Sequence, residues 1–166
     1  MGYTHYWKFK NDVAPKDIEG GKEKFAKASA IITKALSKVR GMNIEICNGV
    51  GEGLPKISDK LIYFNGSKAK DEDCETFCID INDGSWDFCK TCHKPYNLLV
   101  CLALLAFKWA FGEDFTYTTD GITKEAYENR ESNAYWKQIG FAPEGPSEDW
   151  AAAYKVWEEV SKELGL

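Results

Sequence analysis

The stretch Phe88-Cys89-Lys90-Thr91-Cys92-His93-Lys94-Pro95-Tyr96 places thiols, an imidazole, a hydroxyl and two ammonium groups just ahead of an apolar run, Leu98 to Phe107. An apolar run of that length with Pro95 ahead of it reads as the start of a buried helix. Helix N-termini carry partial positive charge and unpaired N–H groups, so acidic side chains normally gather there. Here Lys90, His93 and Lys94 gather instead, an arrangement that is mildly unfavourable unless an anion also occupies the site. Free N–H groups, the Thr91 hydroxyl and two ammonium groups together describe an oxyanion or phosphate site. The plainer reading is that these side chains point into water or pair with Glu75 or Asp120, since no glycine-rich phosphate loop accompanies them. A ligand carrying a base would also want stacking surface. Tyr3, Tyr6, Trp7, Trp86 and Tyr96 are the candidates, with burial in the core as the competing role for each.

The cysteines admit several chemistries. Cys89-Lys90-Thr91-Cys92-His93 matches the C-x-x-C-H pattern of covalent haem attachment, a chemistry of exported proteins. Cys74-x3-Cys78 and Cys89-x2-Cys92 have near zinc-ribbon spacing, so Cys74, Cys78, Cys89 and Cys92 are candidate ligands of a structural zinc. Against that, Cys78 falls in an expected strand, and Cys78 and Cys101 also suit a role as small core residues. Asp80-x-Asn82-Asp83-Gly84 resembles the opening of a calcium loop. Ser85 stands where that loop requires glycine and Thr91 where it requires glutamate, so a turn is the better account. The chain has two histidines, His5 and His93. No nucleophile elbow, H-E-x-x-H or Walker pattern occurs. The catalytic candidates reduce to His5 with Glu75 or Asp120 as an acid–base pair, against a His5 that is merely packed.

These residues must be positioned by the surrounding elements. At 166 residues, 44% hydrophobic and 14% aromatic, the chain suits one α+β domain over 1–166 with a genuine core. Tyr3, His5, Trp7 and Phe9 alternate with Thr4, Tyr6 and Lys8, predicting an opening strand. Ile18, Phe25, Ala28, Ile32, Leu36 and Val39 recur at helical spacing, with Gly41 as a stop. Asn43 to Cys47, Lys60 to Asn65, Glu75 to Ile81 and Phe115 to Thr118 read as strands. The buried helix is expected from about Lys94 to Phe111. Ser147 caps a final helix with Trp150, Tyr154, Trp157, Val160 and Leu164 on one face. The expected architecture is a single mixed or antiparallel sheet, with one buried central helix and amphipathic helices packed on it. Residues 122–146 are the least regular, with a short helix around Thr123 to Arg130, and read as an irregular insertion or a lid.

The net charge of −5 is the wrong sign for a general nucleic-acid binder. The N-terminus lacks a basic region followed by an apolar run, and Tyr6 stands where myristoylation wants serine or threonine. No run approaches the ~20 residues of a bilayer span. A cytoplasmic protein with no membrane partner is expected.

Met1-Gly2-Tyr3-Thr4-His5-Tyr6-Trp7, Phe64-Asn65-Gly66, Glu75-Thr76-Phe77, Phe88-Cys89-Lys90-Thr91, Lys94-Pro95-Tyr96 and Asp120-Gly121 together resemble a family of small bacterial and phage proteins. Its members open with MGYTHYW and carry a central FCKT..KPY motif, and no activity is established for them. The resemblance runs in order along residues 1–121. Members often have Ala and Arg where this chain has Cys92 and His93, which weakens the zinc and haem readings and favours the basic helix start. It implies one polar site made of His5, Asn65, Glu75, Lys90, Thr91, Lys94, Tyr96 and Asp120. The expectation is a phage-type accessory protein that binds a small anionic, nucleotide-like ligand without turnover, such as a host defence signal. In it Lys90, Lys94 and Thr91 hold the anion, Tyr3, Trp7 or Tyr96 stack, and Asn65, Glu75 and Asp120 read polar edges. The alternatives are a hydrolase of such a ligand, and a protein-interaction module that blocks a host enzyme through the Trp-rich C-terminal segment.

Overall fold

The alternation that opens the chain becomes β1 (Thr4–Phe9), the middle strand of an antiparallel sheet in the computed structural model, which describes residues 2–166. Its neighbours are β6 (Asp87–Lys90) and β7 (Phe115–Thr119), in the order β6-β1-β7. Tyr6 lies opposite Phe88 on one side and Thr118 on the other, while Trp7 lies between Asp87 and Tyr117. Because side chains alternate across a strand, this register sends His5, Trp7, Phe9, Cys89 and Phe115 inward. Tyr6, Lys8, Phe88, Lys90, Thr116 and Thr118 occupy the outer face.

A second antiparallel sheet is built on β4 (Leu61–Gly66), which pairs with β2 (Ile46–Cys47), β3 (Lys56–Ile57) and β5 (Phe77–Asp80). Ile62 faces Ile57 on one edge and Ile79 on the other, and Phe64 faces Phe77. The expected single sheet is therefore two. The sheets touch at one seam, where Glu75 N donates to Lys90 O at 3.0 Å, but no ladder continues across it. The strands that the sequence pattern does not announce are β3, two residues long, and β6, which lies in the approach to the buried helix. With only Cys89 buried, Asp87–Lys90 offers no apolar signal to set it apart.

Between and around the sheets lie the helices. Helix α1 (Gly21–Gly41) buries Phe25, Ala28, Ile32, Leu36 and Val39, the stripe its spacing predicts. It begins after Ile18, because Pro15–Asp17 makes a short 3-10 turn and Gly20 turns left-handed at φ 66°. Gly21 is packed so closely that a Cβ there would fall 1.7 Å from the Pro15 carbonyl oxygen. Helix α2 (Asn97–Phe111) is apolar nearly all round and packs against α1, β7 and the C-terminal helix. It starts at Asn97, with Pro95 and Tyr96 in the turn before it. Helix α5 (Glu148–Leu164) buries Trp150, Ala153, Val156 and Val160, with Tyr154 and Trp157 partly covered and Leu164 exposed. Residues 122–146 hold the short helix expected around Thr123 to Arg130, as α3 (Lys124–Glu128), and a second that the sequence does not announce, α4 (Ala134–Ile139). Thr123 and Asn133 cap them, and neither helix buries a residue. The fold is thus α+β, and no helix among the described residues is long and apolar enough to cross a membrane.

The core centres on Phe107, whose ring packs against Phe9, Phe25, Phe111 and Phe115 at centroid distances of 5.1–6.1 Å. Phe107→Ala removes a fully buried ring from this cluster and is expected to cost about 3–5 kcal/mol in denaturant unfolding. Trp109→Ala, on the exposed side of the same helix, should stay within about 0.5 kcal/mol. Equal losses at the two positions would contradict this placement of the core.

Candidate functional site

The donors expected to cradle an anion at the start of α2 are already in use. Asn97 N donates to Lys94 O at 2.9 Å, Leu98 N to Pro95 O at 3.3 Å and Leu99 N to Tyr96 O at 3.0 Å. Upstream, Thr91 N donates to Tyr3 O at 2.8 Å and Lys94 N to Thr91 O at 2.9 Å. Two successive turns therefore satisfy the helix end from within. Lys94 Nζ donates to Asp71 O at 2.6 Å and lies 3.8 Å from the Asp71 carboxylate. Thr91 is wholly buried. Lys90 closes strand β6 and stands on the outer face of its sheet, away from the helix terminus. The basic cluster of the sequence is thus divided among three different surroundings.

The buried polar groups converge instead on the Asn97 side chain. His5 Nε2 lies 2.6 Å from Asn97 Oδ1, and the Thr91 hydroxyl donates to the same oxygen at 2.7 Å. Asn97 Nδ2 donates to Asp149 Oδ2 at 3.2 Å, and the Tyr3 hydroxyl donates to that carboxylate as well. Since Oδ1 can only accept, the network assigns the proton to His5 Nε2 and leaves Nδ1 as a buried lone pair with no partner. Burial lowers the His5 pKa from its ordinary value, and the Asn97 contact offsets only part of that. At Asp149 burial pushes upward, yet the hydrogen bonds from Tyr3, Ser147, Trp150 N–H and Asn97 outweigh it and hold the carboxyl below its usual range. Burial, then the Asp149 contact, raises the Tyr3 phenol. The Tyr3 ring stacks on His93 with centroids 3.9 Å apart, and a Cβ on Gly121 would fall 2.0 Å from its hydroxyl oxygen.

The remaining candidates also serve the interior. Asn65 is buried and grips the backbone of Cys74, accepting from its N–H at 3.1 Å and donating to its carbonyl at 3.0 Å. Tyr96 is fully buried and donates to Glu75 O at 2.6 Å. Trp7 packs on Phe77 with centroids 4.8 Å apart. Glu75 Oε2 accepts from Lys90 N at 2.7 Å and Asp120 Oδ2 from Thr4 N at 3.0 Å. Neither carboxylate hydrogen-bonds His5, so the expected acid–base pair is not assembled. Nor do the four cysteines meet. Cys89 is buried and turned to Glu75 O at 3.3 Å, and only Cys74 and Cys92 approach one another. Among the described residues no three His, Cys, Asp or Glu side chains are grouped to hold a metal ion. Asp80 and Asp83 spend carboxylate oxygens on Asn82 and Ser85, as a turn would.

What remains open to a ligand is the outer face of the β6-β1-β7 sheet. Trp86 is 56% and Phe88 42% exposed, and Tyr6 lies between them and β7. The Tyr6 and Trp86 rings stack with centroids 6.0 Å apart, and Trp86 and Phe88 are 5.4 Å apart. A hollow of about 210 Å³ opens beside them, bordered by Lys8, Thr116 and Thr118. Lys90 stands opposite Thr4 and Phe88 opposite Tyr6, so Lys8 and Lys90 flank the aromatic row at its two ends. Neither lysine makes an ion pair among the described residues. A larger cleft of about 540 Å³ runs between β7 and α3, where Glu113 and Glu125 face a single cation, Lys108, already paired with Glu113. Tyr6 and Trp86 are visible as stacking candidates in the sequence. Phe88, Lys8, Thr116 and Thr118 are not, although the alternation Trp86, Phe88, Lys90 reveals Phe88 once 86–90 is read as a strand; Lys8, Thr116 and Thr118 join it through the pairing of three strands far apart in sequence. No family model, curated protein or solved structure matches the chain.

The buried His5 gives a pH signature. Its pKa is lowered on folding, so the unfolded chain binds its proton first as pH falls. The stability due to neutral His5 is complete above the unfolded value near 6.5 and is lost as pH drops below it. Urea unfolding from about pH 7.5 to 5 should show wild-type stability falling more steeply than that of His5→Gln. Parallel curves would mean that His5 is not sealed.

Proposed function

We propose that the protein is a binding module that holds a small anionic, nucleotide-like ligand on the outer face of its three-stranded sheet. The observation that carries this reading is the aromatic row of exposed Trp86 and Phe88 and half-buried Tyr6, with an ammonium group at either end. Large aromatics are normally buried, and a cluster left on a flat sheet face offers a platform for a base or similar ring. Lys8 and Lys90 supply attraction for phosphate, and the hydroxyls of Thr116 and Thr118 supply hydrogen-bonding edges to the hollow. Binding without turnover is favoured because His5 is committed to Asn97 beneath the sheet, on the face opposite the platform. The resemblance to phage proteins supplies a setting, the capture of a nucleotide-like host signal in the cytoplasm.

One observation favours a second reading, a protein-interaction module that blocks a host enzyme. Tyr135, Ile139 and Phe141 stand exposed on and beside α4, at 65%, 55% and 47%. Trp150 of the Trp-rich C-terminal segment is in the core, so such a surface would centre on α4.

Trp86 itself reports the first reading. Titration with AMP, ADP, ATP and a cyclic dinucleotide should quench tryptophan fluorescence for at least one of them. Chromatography afterwards should recover the nucleotide intact. Trp86→Ala should weaken binding about 5- to 100-fold, the range expected for one base–aromatic stack. Lys90→Ala should flatten the salt dependence. Affinity unchanged in Trp86→Ala, or no binding by any of these nucleotides, would contradict the platform.

A further inference from the structure

Of the six cysteines, two face each other. Cys74 Sγ donates to Cys92 Sγ at 3.0 Å, about an ångström beyond a covalent S–S bond of about 2.05 Å. Both residues are half-buried, as is Cys78, whereas Cys47, Cys89 and Cys101 are buried; what sets Cys74 and Cys92 apart is their mutual contact. Their backbones are held in place from opposite sides of the seam between the two sheets. The Asn65 carboxamide clamps Cys74 through both its N–H and its carbonyl. Cys92 occupies a left-handed turn with His93, at φ 52° and 57°, and its N–H shares the Tyr3 carbonyl with Thr91. Two consecutive non-glycine residues in that region are sparsely populated and persist only where the surroundings impose them. Here the surroundings bring two thiols together.

We propose that Cys74 and Cys92 form a reversible redox modification site, closed by thiol–disulfide exchange with a small-molecule disulfide of the glutathione class. The Cys92 thiolate attacks one sulfur of the reagent, the reagent's S–S bond breaks, and the departing thiolate takes up a proton. Cys74 then gives up its proton and attacks the mixed disulfide at the Cys92 sulfur. The Sγ–Sγ bond forms as the second reagent thiol leaves. Both protein sulfurs are oxidised, both reagent sulfurs are reduced, and two thiol protons end on the reagent. Burial, then contact with Cys92, raises the Cys74 thiol to about 11, so it stays protonated at neutral pH and is not the sulfur that attacks first. The product staples the β4–β5 connection to the turn ahead of α2, at the seam where one backbone hydrogen bond joins the two sheets. It does not depend on the proposed ligand.

The test is to incubate the reduced full-length protein in graded ratios of reduced to oxidised glutathione, quench with acid and measure intact mass. A species lighter by a pair of hydrogens is expected, with peptide mapping joining Cys74 to Cys92 and dithiothreitol reversing it. Its thermal midpoint should exceed that of the reduced protein, because the bond restricts the unfolded chain. Cys74→Ala should instead retain glutathione on Cys92. A wild type that stays fully reduced at the most oxidising ratio, that stops at a mixed disulfide, or whose bridge maps to another pair overturns the proposal. The mapping uses the native sequence, so its outcome does not require the variant to fold.

Discussion

A single carboxamide, that of Asn97, joins three parts of the chain that are distant in sequence. Its oxygen receives His5 from the middle strand of the first sheet and Thr91 from the turn after β6, and its nitrogen reaches Asp149 at the start of α5. His5, Thr91 and Asn97 are buried, where a stranded donor costs about 1–3 kcal/mol, while Asp149 is partly open to solvent. Removing the carboxamide leaves the buried His5 N–H without an acceptor and leaves the Thr91 hydroxyl only a long contact, 3.5 Å, to the Tyr3 carbonyl. Because Asn97 is also the first residue of α2, the same contacts set where the buried helix begins.

From that anchor the outer face follows. With His5 held inward, the period of two along β1 commits Trp7 and Phe9 to the core and Tyr6 and Lys8 to solvent. Thr91 N bonded to Tyr3 O extends the pairing of β6 past its last strand residue, which fixes the register that sets Phe88 beside Tyr6. The aromatic platform is thus a consequence of the polar knot on the opposite side of the same strand. The Cys74–Cys92 pair belongs to this end of the molecule too, since Cys92 follows Thr91 directly and shares its acceptor.

Much of the fold is legible in the sequence because it is local. The 3.6 period of α1, the apolar run of α2, the alternation of β1 and the serine ahead of α5 each announce their element within a few residues. The division into two sheets is not, because strand partnership is decided by contacts far apart in sequence. Strand β6 stays hidden because three of its four residues face water. Within residues 122–146 the short helix α3 is expected and α4 is not, because α4 is held by its Asn133 cap and buries no residue that would give an apolar stripe. The expected polar site is brought together only in part, and its role is not legible. Tyr3, His5 and Thr91 do converge, but polar residues in apolar surroundings look alike in sequence whether they satisfy a ligand or one another. Asn97 and Asp149, which complete the knot, carry no motif at all.

If the polar knot serves the fold while the opposite face of the same sheet serves the ligand, amide chemical-shift mapping during titration with ADP will separate the two. Shifts should be confined to Tyr6, Lys8, Trp86, Phe88, Lys90, Thr116 and Thr118. Shifts centred on Thr91 to Tyr96, with the aromatic row unmoved, would contradict this division and return the ligand to the start of the buried helix.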